Sequence, residues 1–402
     1  MGSGVSRVVT SHWRVWLAAL LVVAAVVSFH VRIGRRMPDF QVLRVTGRRV
    51  LAGEELYRTS DGHWQYKYLP AFAFVVAPLS FLPAPPEAQT TDPRGRHYNP
   101  WSDTARVAWF AGAVALLVAM LALALRLLPD RTSRAGTIVG LTILALGKFY
   151  AHELELGQVN ILLTIVVLLA LREWRHGRTA TAGALLAAAT VVKPYGIIFA
   201  PYLAARRQWR ALGGFALVLA LALVLPALRY GFHGNLALLG GWWATVTTST
   251  PPNLDVSDNI SIAAMYAKWF GVGPLAGRLA FSTAGLLVAA CAWVLWLPVK
   301  TRFPQYLDAA LLLTLIPLLS PQGWDYVLLV ATPAVMLIVN NLGVFGRVTR
   351  WFAIASLLVA GLTLWDIVGR QVYSLFMVSS VVTFCYLFQI IVLLRLRATQ
   401  TA

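Results

Sequence analysis

Asp39 is the first residue whose type and position could support catalysis. It follows an apolar run and precedes a stretch, 41–51, in which valine and leucine alternate with arginine. A carboxylate at such a position can accept a proton from a hydroxyl nucleophile if it lies within hydrogen-bond reach. Aspartate is also a favoured residue at the N-cap of a helix. Position alone leaves both roles open and favours the cap.

Lys193 is the second residue that indicates chemistry. It lies inside the apolar run 179–204, directly before Pro194, and a proline disfavours helix in the residue that precedes it. An ionisable group in an apolar run is costly and is by default a candidate for function. A bound phosphate would supply its counter-charge, whereas a lysine that only extends to the membrane interface needs none. Further cations that could contact a phosphate are Lys67, Arg35 and Arg36.

Amide and carboxylate side chains gather where other apolar runs begin or end. Gln158 and Asn160 open one run, and their amides could bind a hydroxyl-rich ligand or simply cap a helix. The other polar positions are ordinary turn or cluster residues when each is taken alone. As a set they become candidates for substrate binding: Glu153, Glu155, Tyr66, Asp258, Asn259, Trp324 and Asp325.

No metal site or cofactor is predicted. The first polar loop contains no acidic pair as compact as Asp-x-Asp and no glycine-rich nucleotide loop. Asp39 with Glu153 or Glu155 could in principle bind a hard cation. Cys291 and Cys385 both fall in apolar segments, so neither a disulfide framework nor a cysteine metal site is indicated.

The composition requires a membrane around these residues. Of 402 residues, 58% are hydrophobic and only 12% are charged, whereas a soluble domain carries about 25% charged residues. The formal net charge is +18, and the basic residues lie mostly in short links between apolar runs. Anionic lipid headgroups and membrane topology account for such a distribution, so a nucleic-acid partner is not expected. We predict an all-α, polytopic protein of the cell membrane, whose first partner is the lipid bilayer.

Twelve apolar segments can be counted, and the chain forms a single domain, 1–402. We expect a catalytic core over about 31–335 and further C-terminal helices over 348–395. The first segment follows a basic stretch without a convincing cleavage site, so we predict a retained signal anchor. The segments are 14–30, 68–82, 105–128, 136–151, 157–171, 179–204, 211–228, 275–298, 307–320, 324–341, 351–367 and 371–394.

The distribution of arginine and lysine predicts the topology. By the positive-inside rule, the short basic links should face the cytoplasm. All of them can do so only if the run 179–204 breaks at Lys193 and the run 68–82 enters the membrane and returns. Five polar stretches and the point Lys193 then share the outer face, and the stretches are 31–67, 83–104, 151–158, 229–274 and 319–324. Within the first of these, 41–51 is expected to form an interfacial helix that ends at Gly53.

The ordered motifs resemble a family of membrane enzymes. The matching stretches are Asp39-Phe40 with Leu51-Ala52-Gly53 and Leu56-Tyr57, Tyr66 to Pro70, Pro78 to Pro83, Gly157 to Asn160, Gly183 to Pro194, Arg206 to Arg210, Asp258 to Ser261, and Ser320-Pro321 with Trp324. Together they resemble the GT-C fold glycosyltransferases that use polyprenyl-phosphate sugars, and within these glycosyltransferase family 87, of mannosyltransferase type.

The resemblance implies a reaction and roles for the candidate residues. A hexose, commonly mannose, would pass with inversion from a polyprenyl-phosphate sugar to a glycolipid or glycan acceptor at the extracytoplasmic face. Asp39 would be the base, and the cations named above would bind the donor phosphate. The aromatic residues could stack on sugar faces, although they more often form a headgroup belt. These aromatic residues are Trp64, Tyr66, Trp242 and Trp243.

Two departures and one rival function accompany the resemblance. Members of the family commonly carry histidine after the tryptophan of the Ser-Pro hinge, where this chain has Asp325-Tyr326. The segment 83–101 is longer than expected and would be either an acceptor-binding insertion or a plain loop. A polyprenyl-phosphate or glycolipid transporter or flippase could use the same cations, although a transporter would show repeated halves with a site at the midplane.

Overall fold

The computed structural model describes residues 19–83, 85, 99–298 and 303–399 of the chain. Within these ranges the protein is helical and has no strand. The predicted all-α class is therefore confirmed. Parts of the predicted signal anchor and most of the 83–104 stretch, including His97 and Tyr98, lie outside the described residues.

The helices are numbered in chain order. The first nine are α1 (19–31), α2 (Pro38–Ala52), α3 (Pro70–Val76), α4 (Thr104–Leu127), α5 (Ala135–Leu156), α6 (Asn160–Arg175), α7 (Thr179–Val192), α8 (Phe199–Ala205) and α9 (Trp209–Val224). The next nine are α10 (Ala227–Ser249), α11 (Ile262–Phe270), α12 (Pro274–Trp296), α13 (Pro304–Leu319), α14 (Thr332–Asn340), α15 (Arg347–Leu362), α16 (Trp365–Val368), α17 (Arg370–Val378) and α18 (Val381–Thr399). Short 3₁₀ segments that matter for the site are Thr59–Trp64, Ala77–Phe81, Pro194–Ile198 and Asp325–Ala331.

Four described helices are long and apolar enough to cross a membrane, namely α4, α5, α12 and α18. Helices α9 and α10 form a fifth candidate, which is bent by 90° between them. Several other apolar helices are only 10 to 17 residues long. The chain is therefore a multi-pass helical membrane protein, and the count of twelve spans stays a prediction.

Two predicted boundaries are wrong. The stretch 229–274 was expected to be a polar loop, but most of it is helical, in α10 and α11. The segment 371–394 was expected to be one helix, but it divides into α17 and α18 at Ser380, whose φ of 59° is left-handed. The first stretch contains glycine and threonine, and the second is an apolar run. Hydropathy alone therefore indicates neither the helices in 229–274 nor the division of 371–394.

The helix break predicted at Lys193 is confirmed. Helix α7 ends at Val192, Lys193 is extended with φ −146° and ψ 134°, and a 3₁₀ turn starts at Pro194. The proline ring restricts the residue before it to this extended region, so the local sequence causes the break. Lys193 therefore caps the C-terminal end of α7 and does not continue the helix.

Helix α2 forms where the sequence predicts it, and it ends at Gly53 with φ 72°. Its surroundings differ from those of a helix lying freely along headgroups, because most of its residues are buried. Arg44 forms a buried ion pair with Asp103 at 2.7 Å, and Arg49 binds Asp61 at 2.8 Å. The arginines therefore fix α2 within the protein, and its interfacial position stays a prediction.

Candidate active site

A cavity of about 670 Å³ lies where the ends of several helices meet. Five of the six polar stretches and points predicted to share one face contribute to its lining; only 83–104 contributes none of its described residues. The structure thus brings together residues that are far apart in the sequence. The predicted site residues that line the cavity are Asp39, Lys67, Gln158, Lys193, Asp258, Trp324 and Asp325.

Asp39 lies in the first turn of α2 and faces this cavity. The N-cap of α2 is Met37, so the interpretation of Asp39 as the cap is wrong. Its carboxylate is hydrogen-bonded to the side chain of Gln158. Burial raises the pKa of the Asp39 carboxyl above its usual range, and the Gln158 hydrogen bond and the charges of Lys193 and Lys67 oppose this rise. A raised pKa makes the carboxylate a stronger base.

Gly157 allows Asp39 and Gln158 to approach each other. It ends α5 with φ 70°, and a Cβ atom at this position would lie 2.6 Å from Cβ of Phe40. Any other residue would push α2 away from the corner between α5 and α6. The backbone N–H of Met37 also donates to the carbonyl of Glu155 at 2.9 Å. The start of α2 is therefore fixed against the end of α5, directly before Gln158.

Lys193 lies between three tyrosine rings that also line the cavity. Its Nζ atom is 5.8 Å from the ring centre of Tyr68, 5.6 Å from that of Tyr195 and 5.9 Å from that of Tyr326. Within the described ranges no carboxylate is at ion-pair distance from Lys193. The aromatic faces favour a cation without neutralising it. The ammonium group is therefore buried, positioned and available to an anion in the cavity.

Lys67 provides a second cation on the same wall. Its backbone carbonyl accepts a hydrogen bond from Nε1 of Trp242 at 3.2 Å, which connects α10 to the segment before α3. Burial lowers the pKa of Lys67, and the nearby Asp39 carboxylate opposes this change. Because each group influences the titration of the other, Lys67 and Asp39 are electrostatically coupled.

The Ser-Pro hinge is fixed by the loop that precedes α11. The amide of Asn259 donates to the carbonyls of Asn253 and Pro321, at 2.9 and 2.8 Å, and N–H of Ile260 donates to the carbonyl of Gly323 at 2.7 Å. Gly323 is required, because a Cβ atom there would lie 1.9 Å from the carbonyl oxygen of Pro317. Asn259 is thus a structural residue outside the cavity lining, although the sequence suggested substrate binding.

Several other predicted site residues lie outside the cavity lining. Glu155 pairs with Arg36 and, at 3.0 Å, with Arg32. Arg35 is exposed and also lies away from the cavity lining. None of these charges is brought to the Asp39 and Lys193 wall.

Glu153, Asn160 and Tyr66 are buried for structural reasons. Glu153 accepts hydrogen bonds from the backbone and side chain of Asn160, at 2.5 and 2.7 Å, and so caps the start of α6. The Tyr66 hydroxyl donates to the carbonyl of Leu69 at 3.1 Å. These contacts hold the three side chains outside the cavity lining, although Oδ1 of Asn160 is buried without a hydrogen-bond partner among the described residues.

Sequence reasoning missed part of the cavity wall. The sequence does not single out five of its lining residues as site residues, namely His63, Tyr68, His152, Tyr195 and Tyr326. A signal was present, since Tyr68 and Tyr326 each adjoin a predicted site residue and Tyr195 follows Lys193 closely. Among the described residues, no three His, Cys, Asp or Glu side chains are arranged to hold a metal ion.

The fold and cavity define a multi-pass helical membrane protein with three aspartates and two lysines at one polar site. The family model of glycosyltransferase family 87 matches residues 66–321, which is more than half of the chain, and the chain therefore belongs to this family. It is a membrane glycosyltransferase. No curated protein matches the chain. The family match starts after Asp39 and ends before Trp324, so the roles of these residues depend on the geometry alone.

Proposed function

We propose that the protein transfers a hexose, most simply mannose, from a polyprenyl-phosphate sugar to a lipid-linked or glycan acceptor. The reaction takes place at the extracytoplasmic face of the cell membrane and inverts the anomeric carbon. The observation that carries this proposal is the shared cavity of Asp39, Lys67 and Lys193. A base for a hydroxyl group and cations for a phosphate group are the two requirements of such a transfer.

Asp39 is the proposed base. The acceptor oxygen attacks the anomeric carbon as its proton passes to the Asp39 carboxylate, and the bond between this carbon and the phosphate oxygen breaks. The polyprenyl phosphate leaves as an anion and takes the bonding electrons. The hydrogen bond from Gln158 supports the proposal, because it orients the carboxylate. Among the described residues, the Asp39 carboxylate has no ion-pair partner.

Lys193 and Lys67 are the proposed phosphate ligands. Both cations line the cavity, and Lys193 is held among tyrosine rings without a carboxylate at ion-pair distance in the described ranges. A fixed positive charge stabilises a phosphate whose charge increases as the bond to sugar breaks. Because polyprenyl phosphate is a good leaving group, this arrangement needs neither a strong general acid nor a metal ion or other cofactor.

The remaining walls suit a sugar and a lipid. Trp64, Trp242 and Trp243 line the cavity, and indole rings stack on the apolar faces of sugars. Val42, Leu156 and Val246 add an aliphatic surface beside them. A site that combines these surfaces with a carboxylate and amines suits an amphipathic donor better than a free nucleotide sugar.

The test is transfer by purified protein. We would incubate the protein in nanodiscs with a panel of polyprenyl-phosphate sugars and a lipid extract from its own membrane, and identify new glycolipids by mass spectrometry. The expected result is a product one hexose heavier, formed from the mannosyl donor and absent with the Asp39→Asn variant. Movement of the donor between leaflets without a new glycoside would instead support the transporter or flippase.

A further inference from the structure

His152 and Asp325 form a pair that the proposed mechanism does not yet use. Nδ1 of His152 lies 3.0 Å from Oδ1 of Asp325, and both residues line the cavity. Because an ionised carboxylate only accepts hydrogen bonds, Nδ1 must carry the proton. The other ring nitrogen, Nε2, has no protein partner within the described residues. This nitrogen can donate a hydrogen bond when the imidazole is protonated.

The position of Asp325 is fixed independently of His152. Its backbone N–H donates to the carbonyl of Asp258 at 3.0 Å, and Trp324 pairs with Asn259 in an isolated β-bridge. Asp325 is buried, with 7% of its surface exposed, whereas His152 is half-exposed towards the cavity. A buried, fixed carboxylate behind a more exposed imidazole holds the ring in a single orientation.

Tyr326 places this pair beside the proposed phosphate site. Its ring meets the His152 ring edge-on, with the centres 5.2 Å apart, and its centre lies 5.9 Å from Nζ of Lys193. The imidazole and the ammonium group therefore adjoin the same aromatic ring. Its hydroxyl accepts a hydrogen bond from Gln158 at 3.4 Å, and Gln158 in turn binds Asp39. The base and two cationic groups thus line one continuous wall.

We propose that protonated His152, positioned by Asp325, donates a hydrogen bond from Nε2 to the donor phosphate. This inference rests on the proposed function, because it assigns a second ligand to the same phosphate. His152 is then a residue that contacts substrate, and Asp325 is a positioning residue that does not contact the sugar. No bond is formed or broken by His152, which stabilises the phosphate as the sugar leaves.

Several charged groups surround the imidazole and influence its protonation. Asp325 and Tyr326 face it from the segment 325–331, Asp258 from the loop before α11, and Glu155 from its own helix. Imidazole changes its charge near neutral pH, and an anion binds its protonated form. Binding of an anion at Nε2 is therefore expected to be tighter at pH 6 than at pH 8.

The experiment measures binding of a lipid without sugar. The probe is a polyprenyl methyl phosphate, a diester whose own charge does not change between pH 6 and pH 8, with neutral polyprenol as the reference lipid. Affinity for the full-length protein in nanodiscs is measured at both pH values. Wild type should bind the diester about tenfold more tightly at pH 6, because a charge-assisted hydrogen bond is gained, and should bind polyprenol equally at both.

Substitutions separate a phosphate contact from a structural role. His152→Gln should lose the pH dependence, whereas His152→Lys should bind tightly at both pH values, because lysine keeps its charge. Asp325→Asn should shift the dependence to lower pH, because it removes the carboxylate that favours the protonated ring. His63→Gln, a change of the other cavity-lining histidine, should retain the wild-type dependence.

Three results would overturn the inference. These are a wild-type pH dependence that persists in His152→Gln, its loss in His63→Gln as well, or no preference of wild type for the diester over polyprenol. Thermal unfolding of each variant shows whether it is folded, and the lysine variant keeps the test decisive if the glutamine variant unfolds. Diester binding with the expected pattern but no sugar transfer would refute the proposed function and leave the phosphate contact intact.

Discussion

Two carboxylates enclosed by the protein, Asp39 and Asp308, have opposite surroundings. Asp308 is 0% exposed and is bound by Nε of Arg397 at 2.8 Å and by the hydroxyl of Tyr202 at 2.9 Å. Asp39 faces a cavity and has an amide rather than an arginine as its partner. Asp308 lies in the second turn of α13, and the hinge at Ser320, which lines the cavity, follows the other end of this helix. The two acids therefore lie near opposite ends of a helix about 24 Å long.

The difference distinguishes a structural acid from a reactive one. A carboxylate paired with arginine inside a protein has its charge neutralised and its lone pairs occupied, so it holds helices together. Here that pair joins α13 to α18. A carboxylate held by a neutral amide keeps both its basicity and a free approach from one side. The two lysines near Asp39 line the cavity, so they can bind an anionic ligand as well as influence the carboxylate.

The largest expected effect is on turnover by Asp39→Asn. Removal of a general base lowers kcat by 10²–10⁴, so we expect a loss of about a thousandfold. Donor affinity should remain within about threefold of wild type, because the asparagine keeps the size of the side chain and the hydrogen bond with Gln158. Steady-state kinetics with a polyprenyl-phosphate sugar and equilibrium binding of the donor measure the two quantities. Unchanged turnover would remove the base assignment.

Asp308→Asn should have the converse effect. It leaves the Arg397 guanidinium buried without its counter-charge, which costs about 3 kcal/mol of unfolding free energy. The measurement is unfolding in detergent, followed by kinetics on the folded fraction, in which kcat should stay near wild type. A selective loss of kcat with wild-type stability would show that the comparison between the two acids is mistaken.

The sequence predicts the key residues better than their partners. Asp39, Gln158 and Lys193 stand out because a polar group at the end of, or inside, an apolar run is costly and needs a reason. Glu153 and Glu155 stand out for the same reason, yet one caps α6 and the other pairs with arginine. Sequence alone cannot separate these cases, since the partner decides whether a charge is satisfied.

The fold was predictable where local chemistry dictates it. Pro194 forces the break at Lys193, and Gly53 ends α2, so both features follow from adjacent residues. The close approach of Phe40 to Gly157 depends on a contact between segments more than a hundred positions apart. Such tertiary contacts leave no periodic signal, and this explains why the environment of α2 and the helical 229–249 region were not predicted.

Lys193→Met should have a smaller, tenfold effect on donor binding. The substitution removes a charge that the three tyrosines position for an anion, while the linear side chain preserves packing. Donor and acceptor dissociation constants, measured separately, should show that only the donor is affected. Lys268→Met is the matched control, because Lys268 binds backbone carbonyls outside the cavity. A greater loss of acceptor binding would move Lys193 out of the phosphate site.

The smallest expected effect is a shift in pH dependence by Lys67→Met. Asp39 must be deprotonated to act as a base, so kcat/KM falls as the pH drops through its pKa. Burial raises that pKa, and the positive charge of Lys67 lowers it. Removal of the charge should therefore move the acidic limb of kcat/KM to higher pH, so that the variant loses more activity at pH 5 than at pH 8.

Lys268→Met should leave the limb in place, because the charge of Lys268 is not among those that influence Asp39. If Lys67→Met moved the limb to lower pH or left it unchanged, the group that titrates would not be Asp39. The pH dependence would then not support the distinction between Asp39 and Asp308, since of the two only Asp39 is expected to titrate under the influence of a neighbouring lysine.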